Sequence, residues 1–172
     1  KMLSPRFLQA VQILQDQDPD LTILVPMVNP KRRQEFEEAL AQHPIRNVHI
    51  IDANTAGIRQ PDSEGVVRPP AWTVMEASDA VLVASGTATL ETALHKRPMV
   101  IAYKMQWLSW QIANRKRLLP WVGLPNILCN ESLLPEFLQE EVQPDALAQA
   151  VLRWLDDPDA VAHIQQRFSE LH

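Results

Sequence analysis

The reading of this chain turns on Ala80-Val81-Leu82-Val83-Ala84-Ser85-Gly86-Thr87-Ala88-Thr89-Leu90-Glu91. Four apolar residues, Ala80 to Val83, run straight into small ones, and Thr87 opens a segment with helical spacing that extends to Leu94. A strand that turns at once into a helix leaves the first N–H groups of that helix without partners. With the positive end of the helix dipole, those donors form a position for a phosphate. Gly86 lets the backbone approach a ligand closely, and Ser85 and Thr87 add hydroxyls. Glu91 stands about one turn in, where a carboxylate can accept hydrogen bonds from a ribose diol. The same residues also suit a plain tight turn followed by a helix with Glu91 in solvent, because strand–glycine–helix junctions recur throughout α/β proteins.

On either side of this stretch, strand and helix patterns alternate. Ser4-Pro5 predicts an N-cap and a first-turn proline, and Phe7, Leu8, Val11, Ile13 and Leu14 give the helix an apolar face to about Gln17. Leu21 to Val25 is a continuous apolar run, the pattern of a strand buried on both faces. Asn29-Pro30 opens a second helix carrying Phe36 and Leu40, and Val48 to Ile51 is a second strand. Residues 53–70 hold Gly57, Pro61, Gly65, Pro69 and Pro70 and read as a long loop. A short helix over Trp72–Ala77 precedes the third strand, Ala80–Ala84. Pro98–Tyr103 is the fourth strand and Trp107–Leu118 a helix. A Pro- and Gly-punctuated link follows over Pro120–Asn130, and helices over Pro144–Leu155 and Ala160–Leu171 close the chain. This alternation predicts an α/β fold with a parallel sheet and right-handed crossovers.

Composition narrows the function classes. The chain has 172 residues and a net charge of −5 with no dense basic stripe, which argues against nucleic acid as a partner. No apolar run approaches the roughly 20 residues that span a bilayer, and residues 1–10 show no secretory signal pattern. Cys129 is the only cysteine, so no intrachain disulfide forms, and a reducing cytoplasm fits. It reads as a small buried apolar residue rather than a nucleophile. The five histidines are scattered. Asp18-Pro19-Asp20 and Asp156-Asp157 lack partner ligands at metal spacing, so neither metal nor cofactor is expected.

Several motifs in order extend this reading. They are Val25-Pro26-Met27-Val28-Asn29 with Lys31-Arg32-Arg33, then Ser85 to Glu91, Arg97-Pro98-Met99-Val100-Ile101-Ala102-Tyr103-Lys104-Met105, Leu124-Pro125-Asn126-Ile127-Leu128, and Leu138-Gln139-Glu140-Glu141. Together they resemble the lipid-A-disaccharide synthase family over most of the chain, except near residues 53–70, where this sequence looks longer. The resemblance implies the C-terminal, donor-binding half of a two-domain GT-B glycosyltransferase, a Rossmann-like parallel sheet with helices on both faces, covering residues 1–172. Members are inverting transferases that move 2,3-diacylglucosamine from UDP onto a lipid monosaccharide phosphate and release UDP. Carried over by motif, Ser85, Gly86, Thr87 and Ala88 meet the diphosphate, Glu91 the ribose, and Asn126 the donor site. Read without the resemblance, Asn126 is also a turn residue after Pro125. In related nucleotide-sugar folds uracil is read from the loop that here begins at Asp52-Ala53-Asn54.

The resemblance also implies what lies elsewhere. A Rossmann-like half starts with a strand and a glycine-containing loop, whereas this chain starts on a helix. In the family that loop carries a Gly-Ser-Arg motif facing the diphosphate. The acidic catalytic residue belongs to the N-terminal half, so no residue here is assigned as general base, and the fragment alone is expected to be inactive. The last helix, near 158–172, is expected to dock on the N-terminal domain. Trp107, Trp110 and Trp121 interleave with Lys104, Arg115, Lys116 and Arg117, a pattern that suits an anionic membrane surface and equally a packed core with a solvated helix end. The expected location is cytoplasmic, peripheral on the inner face of the bacterial inner membrane, and homo-oligomers are compatible with this reading. Two alternatives stand beside it: another UDP-sugar transferase or epimerase, and a non-catalytic nucleotide-binding flavodoxin-like module.

Overall fold

The computed structural model describes residues 3–55, 65, 67–106, 110 and 119–171. In chain order the elements are α1 (Ser4–Gln17), β1 (Ile23–Pro26), α2 (Pro30–Leu40), β2 (Val48–Ile51), α3 (Pro70–Ala77), β3 (Val81–Ala84) and α4 (Thr87–Leu94). There follow β4 (Met99–Tyr103), α5 (Leu124–Cys129), β5 (Glu136–Leu138), a 3-10 turn (Gln139–Glu141), α6 (Pro144–Asp156) and α7 (Pro158–Leu171). Every strand pairing is parallel, and helices cover both faces, as the alternating pattern requires.

The core is built around β4. Successive side chains of a strand point to opposite faces, and in β4 both faces are apolar. Val100 and Ala102 pack against Ala10 and Leu14 of α1 and Leu147, Ala148 and Val151 of α6. Met99 and Ile101 face the other way, onto Ala93 of α4 and Ile164 and Phe168 of α7. Met99 to Ala102 have no exposed surface. Burying a side chain such as Ile101 stabilises the fold by about 1.5–3 kcal/mol. The indole N–H of Trp154 on α6 donates to the Met99 carbonyl at 3.1 Å, pinning α6 to the start of β4. α7 is likewise held to this domain, with Ile164 and Phe168 both buried and Arg167 pairing with Glu131 at 3.0 Å.

The structure departs from the sequence expectations at definite places. The strands form two sheets rather than one: β1 with β2, and β3, β4 and β5 in that order. β1 was expected to be buried on both faces, but all four of its residues are only half-buried. Its neighbour on one side is β2, and no described strand pairs with its other edge. Leu3, not Ser4, caps α1, and it does so without a side-chain hydrogen bond. Pro120–Asn130 is no simple link, since it holds α5. β5 escaped notice because three residues, one of them Glu136, show no periodicity. The middle of the 53–70 loop (56–64 and 66) and the Trp107–Leu118 helix, Trp110 excepted, lie outside the described residues, as do Arg115, Lys116 and Arg117.

α2 is a surface helix with no buried residue. Asn29 caps it, accepting the Arg32 N–H at 2.9 Å, as the Asn-Pro pattern predicts. Arg33 ties α2 to the end of β2, its guanidinium lying 2.5 Å from Asp52. The Asn54 N–H, donated to Asp52 at 2.8 Å, and then the Arg33 ion pair hold the Asp52 carboxyl below its ordinary value. A lowered carboxylate pKa contributes stability above the unfolded-state pKa and loses it as the pH falls through the folded one. Asp52→Asn should therefore be less stable than the parent at neutral pH. The difference should shrink to nothing as the pH drops below the usual carboxylate range, as followed by urea unfolding at a series of pH values.

Candidate functional site

The turn from β3 into α4 lies at the C-terminal edge of the β3–β4–β5 sheet, where open α/β sheets place their ligands. β3 fixes its base: the Ser85 N–H donates to the Ala102 carbonyl at 2.9 Å, continuing the ladder one residue past the strand. Gly86 then adopts φ 149°, ψ −165°, a conformation essentially reserved for glycine. Open space surrounds the position where its Cβ would be, so backbone freedom rather than crowding demands glycine. α4 begins at Thr87 with no side-chain cap. The Thr89 N–H and hydroxyl both turn back to the Gly86 carbonyl, at 3.1 and 2.7 Å. No acceptor among the described residues takes the Thr87 or Ala88 N–H. The turn therefore presents unpaired donors at the positive end of a helix, with Gly86 and Thr87 exposed.

Glu91 lies one turn into α4, half-buried. Its carboxylate has no hydrogen bond or ion pair with the described residues. Thr92, which follows it, is fully buried and bonds back to the Ala88 carbonyl at 2.7 Å. This fixes the face of α4 that meets the sheet and leaves Glu91 at its margin.

The floor of the site is a hydrogen-bonded cluster centred on Glu136. Its carboxylate accepts the Val122 N–H at 2.7 Å, the Gly123 N–H at 3.0 Å and the Asn126 side-chain amide at 2.7 Å. The Ser85 hydroxyl donates to the Val122 carbonyl at 3.1 Å, joining this cluster to the α4 turn. Asn126 is completely buried. Its amide nitrogen also donates to Leu134 O at 2.9 Å, and its oxygen accepts the Leu133 and Leu134 N–H groups at 3.1 and 2.9 Å. With both ends engaged inside the chain, Asn126 fixes the 122–126 segment and presents no free amide to solvent. The structure thus brings Ser85, Gly86, Thr87, Ala88 and Glu91 to one turn and sets Asn126 beneath it.

Glu136 and Gly123 were missed by sequence reasoning. The signal for Glu136 was there: a lone carboxylate within Leu133-Leu134-Pro135-Glu136-Phe137-Leu138 needs donors if that run is buried. Gly123 has no local signal, because its need arises from packing: a Cβ there would meet Ile101 Cδ1 at 2.5 Å and Glu136 Oε1 at 2.7 Å. Elsewhere, Cys129 closes α5, and burial pushes its thiol up from the ordinary value despite Arg167 nearby, the behaviour of a packing residue. Among the described residues no group of three or more His, Cys, Asp or Glu side chains could hold a metal. Nor is any helix among them long and apolar enough to cross a membrane.

Comparison with known proteins adds to this geometry. The model of the family described as lipid-A-disaccharide synthetase matches residues 1–171. The lipid-A-disaccharide synthase of Bordetella avium is 50% identical over 178 residues, covering 100% of this chain and 43% of that protein. The enzyme of the same name from Aromatoleum aromaticum is 42% identical over 172 residues, covering 100% of this chain and 40% of that one. The chain thus spans about two fifths of the length of these relatives. In fold, it is similar to UDP-GlcNAc 2-epimerase from Neisseria meningitidis, solved bound to UDP-GlcNAc, with TM-score 0.55 at 13% identity over 94% of this chain and 35% of that one. It is also similar to the glycosyltransferase VinC, solved in complex with DTDP, with TM-score 0.51 at 16% identity over 96% of this chain and 33% of that one.

The Glu136 cluster leads to a stability prediction. Glu136→Gln keeps the shape but turns an NH₂ group toward donors, and it should cost about 2 kcal/mol, the scale of a hydrogen bond to a charged group. Gly123→Ala should cost about 1–3 kcal/mol by overpacking against Ile101 and the same carboxylate. Because both act through one contact, the double variant should lose less than the sum. Urea unfolding of the three variants measures this directly.

Proposed function

The chain belongs to the lipid-A-disaccharide synthetase family, and from that premise we propose that it is the donor-binding half of an inverting glycosyltransferase of lipid A biosynthesis. The donor is UDP-2,3-diacylglucosamine, the acceptor a lipid monosaccharide phosphate, and UDP is released. The observation that carries this reading is the α4 turn, where the free N–H groups of Thr87 and Ala88 follow a Gly86 in a glycine-only conformation. The diphosphate sits there, on Ser85, Gly86, Thr87 and Ala88, and Glu91 accepts the ribose hydroxyls.

The chemistry follows from charge. Breaking the bond between the sugar and UDP leaves negative charge on the diphosphate. Fixed N–H dipoles stabilise that charge with no reorganisation at the moment of reaction. Removing one well-placed donor of this kind typically costs about 3 kcal/mol of barrier. The Glu136–Asn126 cluster keeps these donors aimed, through the Ser85 hydroxyl. The general base and the acceptor site belong to the other domain, so residues 1–172 by themselves bind the donor and do not turn over. The enzyme works at the inner face of the bacterial inner membrane, where the acyl chains of both substrates reside. The likeness in fold to a protein solved with UDP-GlcNAc supports a nucleotide-sugar ligand.

Glu91→Gln in the full-length protein tests the ribose contact. A charge-assisted hydrogen bond is worth about 1.5–3 kcal/mol, so UDP affinity should fall about tenfold or more with the melting temperature unchanged. Titration calorimetry with UDP and with flavin mononucleotide reads the result. Unchanged UDP affinity returns Glu91 to a solvated helix position. Flavin binding in place of UDP overturns the transferase reading in favour of a flavodoxin-like module.

A further inference from the structure

Two of the motifs in the sequence, Arg97 to Met105 and Leu138 to Glu141, meet where β4 and β5 end. We propose, resting on the reading of the α4 turn as the diphosphate site, that Gln139 is a positioning residue for that site. Its side-chain amide takes the place of a strand partner for Met105 and so holds Lys104 level with Gly86, where the lysine ammonium pairs with the diphosphate of the donor.

β4 and β5 pair in register as far as Tyr103 and Leu138. There β5 ends, and the chain leaves through the 3-10 turn. Gln139, the first residue of that turn, has φ 52°, in the left-handed region that residues other than Gly, Asn and Asp seldom enter. The other described side-chain-bearing residues with positive φ have local reasons: Asn47 and Asn130 are asparagines, and Lys96 lies just past the end of α4. Gln139 follows a strand and has neither reason. Its conformation is held from outside. The Leu138 N–H donates to Glu141 Oε2 at 3.0 Å. Arg6 of α1 donates to the Val142 carbonyl at 2.7 Å and to Gln143 Oε1 at 2.9 Å, and Val142 is fully buried. A residue kept in a sparsely populated conformation by its surroundings points to a position that matters. The Gln139 amide meets the Met105 backbone twice. Its nitrogen donates to the Met105 carbonyl at 3.1 Å and its oxygen accepts the Met105 N–H at 3.3 Å, the orientation that satisfies both groups. A side-chain amide offers a donor and an acceptor together, as a peptide unit does. Gln139 thus supplies from its side chain the rung that β5, having ended, does not.

Lys104 stands between two fixed rungs, Tyr103 opposite Leu138 and Met105 on the Gln139 amide. The Tyr103 hydroxyl spans the same residues, donating to Met105 Sδ at 3.5 Å. On its other edge β4 runs beside β3, with Ala84 opposite Ala102 and the Ser85 N–H on the Ala102 carbonyl. Two residues beyond these alanines come Gly86 and Lys104. Neighbouring strands lie about 4.8 Å apart, a gap that the flexible four-carbon stem of lysine crosses. Lys104 is half-buried, and its ammonium has no hydrogen bond or ion pair with the described residues. A cation that has lost part of its hydration gains most from an anion that replaces it. Charge balance favours the same pairing. A helix N-terminus is equivalent to about half an elementary charge, well short of what a diphosphate carries, and a lysine beside it makes up part of the difference.

Calorimetry on the full-length protein with UDP and with uridine, which lacks the diphosphate, tests this. Lys104→Gln and Gln139→Ala should each weaken UDP about tenfold, the scale of a hydrogen bond to a charged group, and leave uridine within about twofold. Lys104→Arg keeps the charge and should bind UDP within about threefold of the parent. Because Gln139 acts through Lys104, adding Gln139→Ala to Lys104→Gln should weaken UDP no further. Equal losses for UDP and uridine in Gln139→Ala overturn the positioning role and leave a structural one. Losses that multiply in the double variant overturn the route through Lys104. Lys104→Gln removes no contact with the described residues, so it folds as the parent does and decides the matter even where Gln139→Ala does not fold. UDP binding that survives Lys104→Gln overturns this proposal and leaves the donor reading standing, whereas a parent that binds no UDP overturns both.

Discussion

The central strand of a parallel sheet is paired on both edges and covered on both faces, and among the described strands β4 alone meets both conditions. Its edges bond to β3 and β5. Its alternating side chains reach α1 and α6 on one side and α4 and α7 on the other. Everything at the C-terminal edge is placed by reference to it. β3 leaves the sheet at Ala84 in register with Ala102, and Ser85 extends that pairing by one residue. The α4 turn is therefore anchored to the best-packed strand in the molecule rather than to a loop.

The path from that core to the site is polar and short. Ile101 of β4 lies against the position of Gly123, Gly123 and Val122 give their N–H groups to Glu136, and Val122 gives its carbonyl to Ser85. Asn126 closes the arrangement, donating to Glu136 and the Leu134 carbonyl and accepting the Leu133 and Leu134 N–H groups. One carboxylate and one amide thus tie residues 122–126 to residues 133–136, and the Ser85 hydroxyl joins the α4 turn to them through the Val122 carbonyl. Preorganisation of this kind is what an anion site needs, since donors that must reorganise stabilise charge less. It also accounts for an asparagine that the resemblance assigns to the donor site yet that is turned wholly inward.

Much of this was legible in the sequence, and what was not has physical causes. The strand–Gly–helix turn is local, so its residues could be read directly. So could the Asn29-Pro30 cap and the apolar run of β4. Glu136, Gly123 and the inward role of Asn126 depend on contacts between segments distant in sequence, and no periodicity records them. The six residues of α5 are too few to declare a helical period between Pro120 and Asn130. The burial of β1 was misjudged for another reason: an apolar run does not record how many neighbours a strand has, and one edge of β1 pairs with no described strand.

That unpaired edge bears on how the domain holds together as a cooperative unit. β1, β2, α2 and their loops bury little, and a two-stranded parallel pair is marginal without further strands. They are joined to the β4 core chiefly by α1, through Gln15, and by α3. A region with few buried contacts opens at lower free energy than the core it adjoins. Two foldons of unequal strength are the natural outcome. The β3–β4–β5 layer with α4, α6 and α7 would melt last, and the β1–β2 lobe would fray from it first. The α4 turn belongs to the stronger of the two, so the proposed anion site would outlast the lobe at its side.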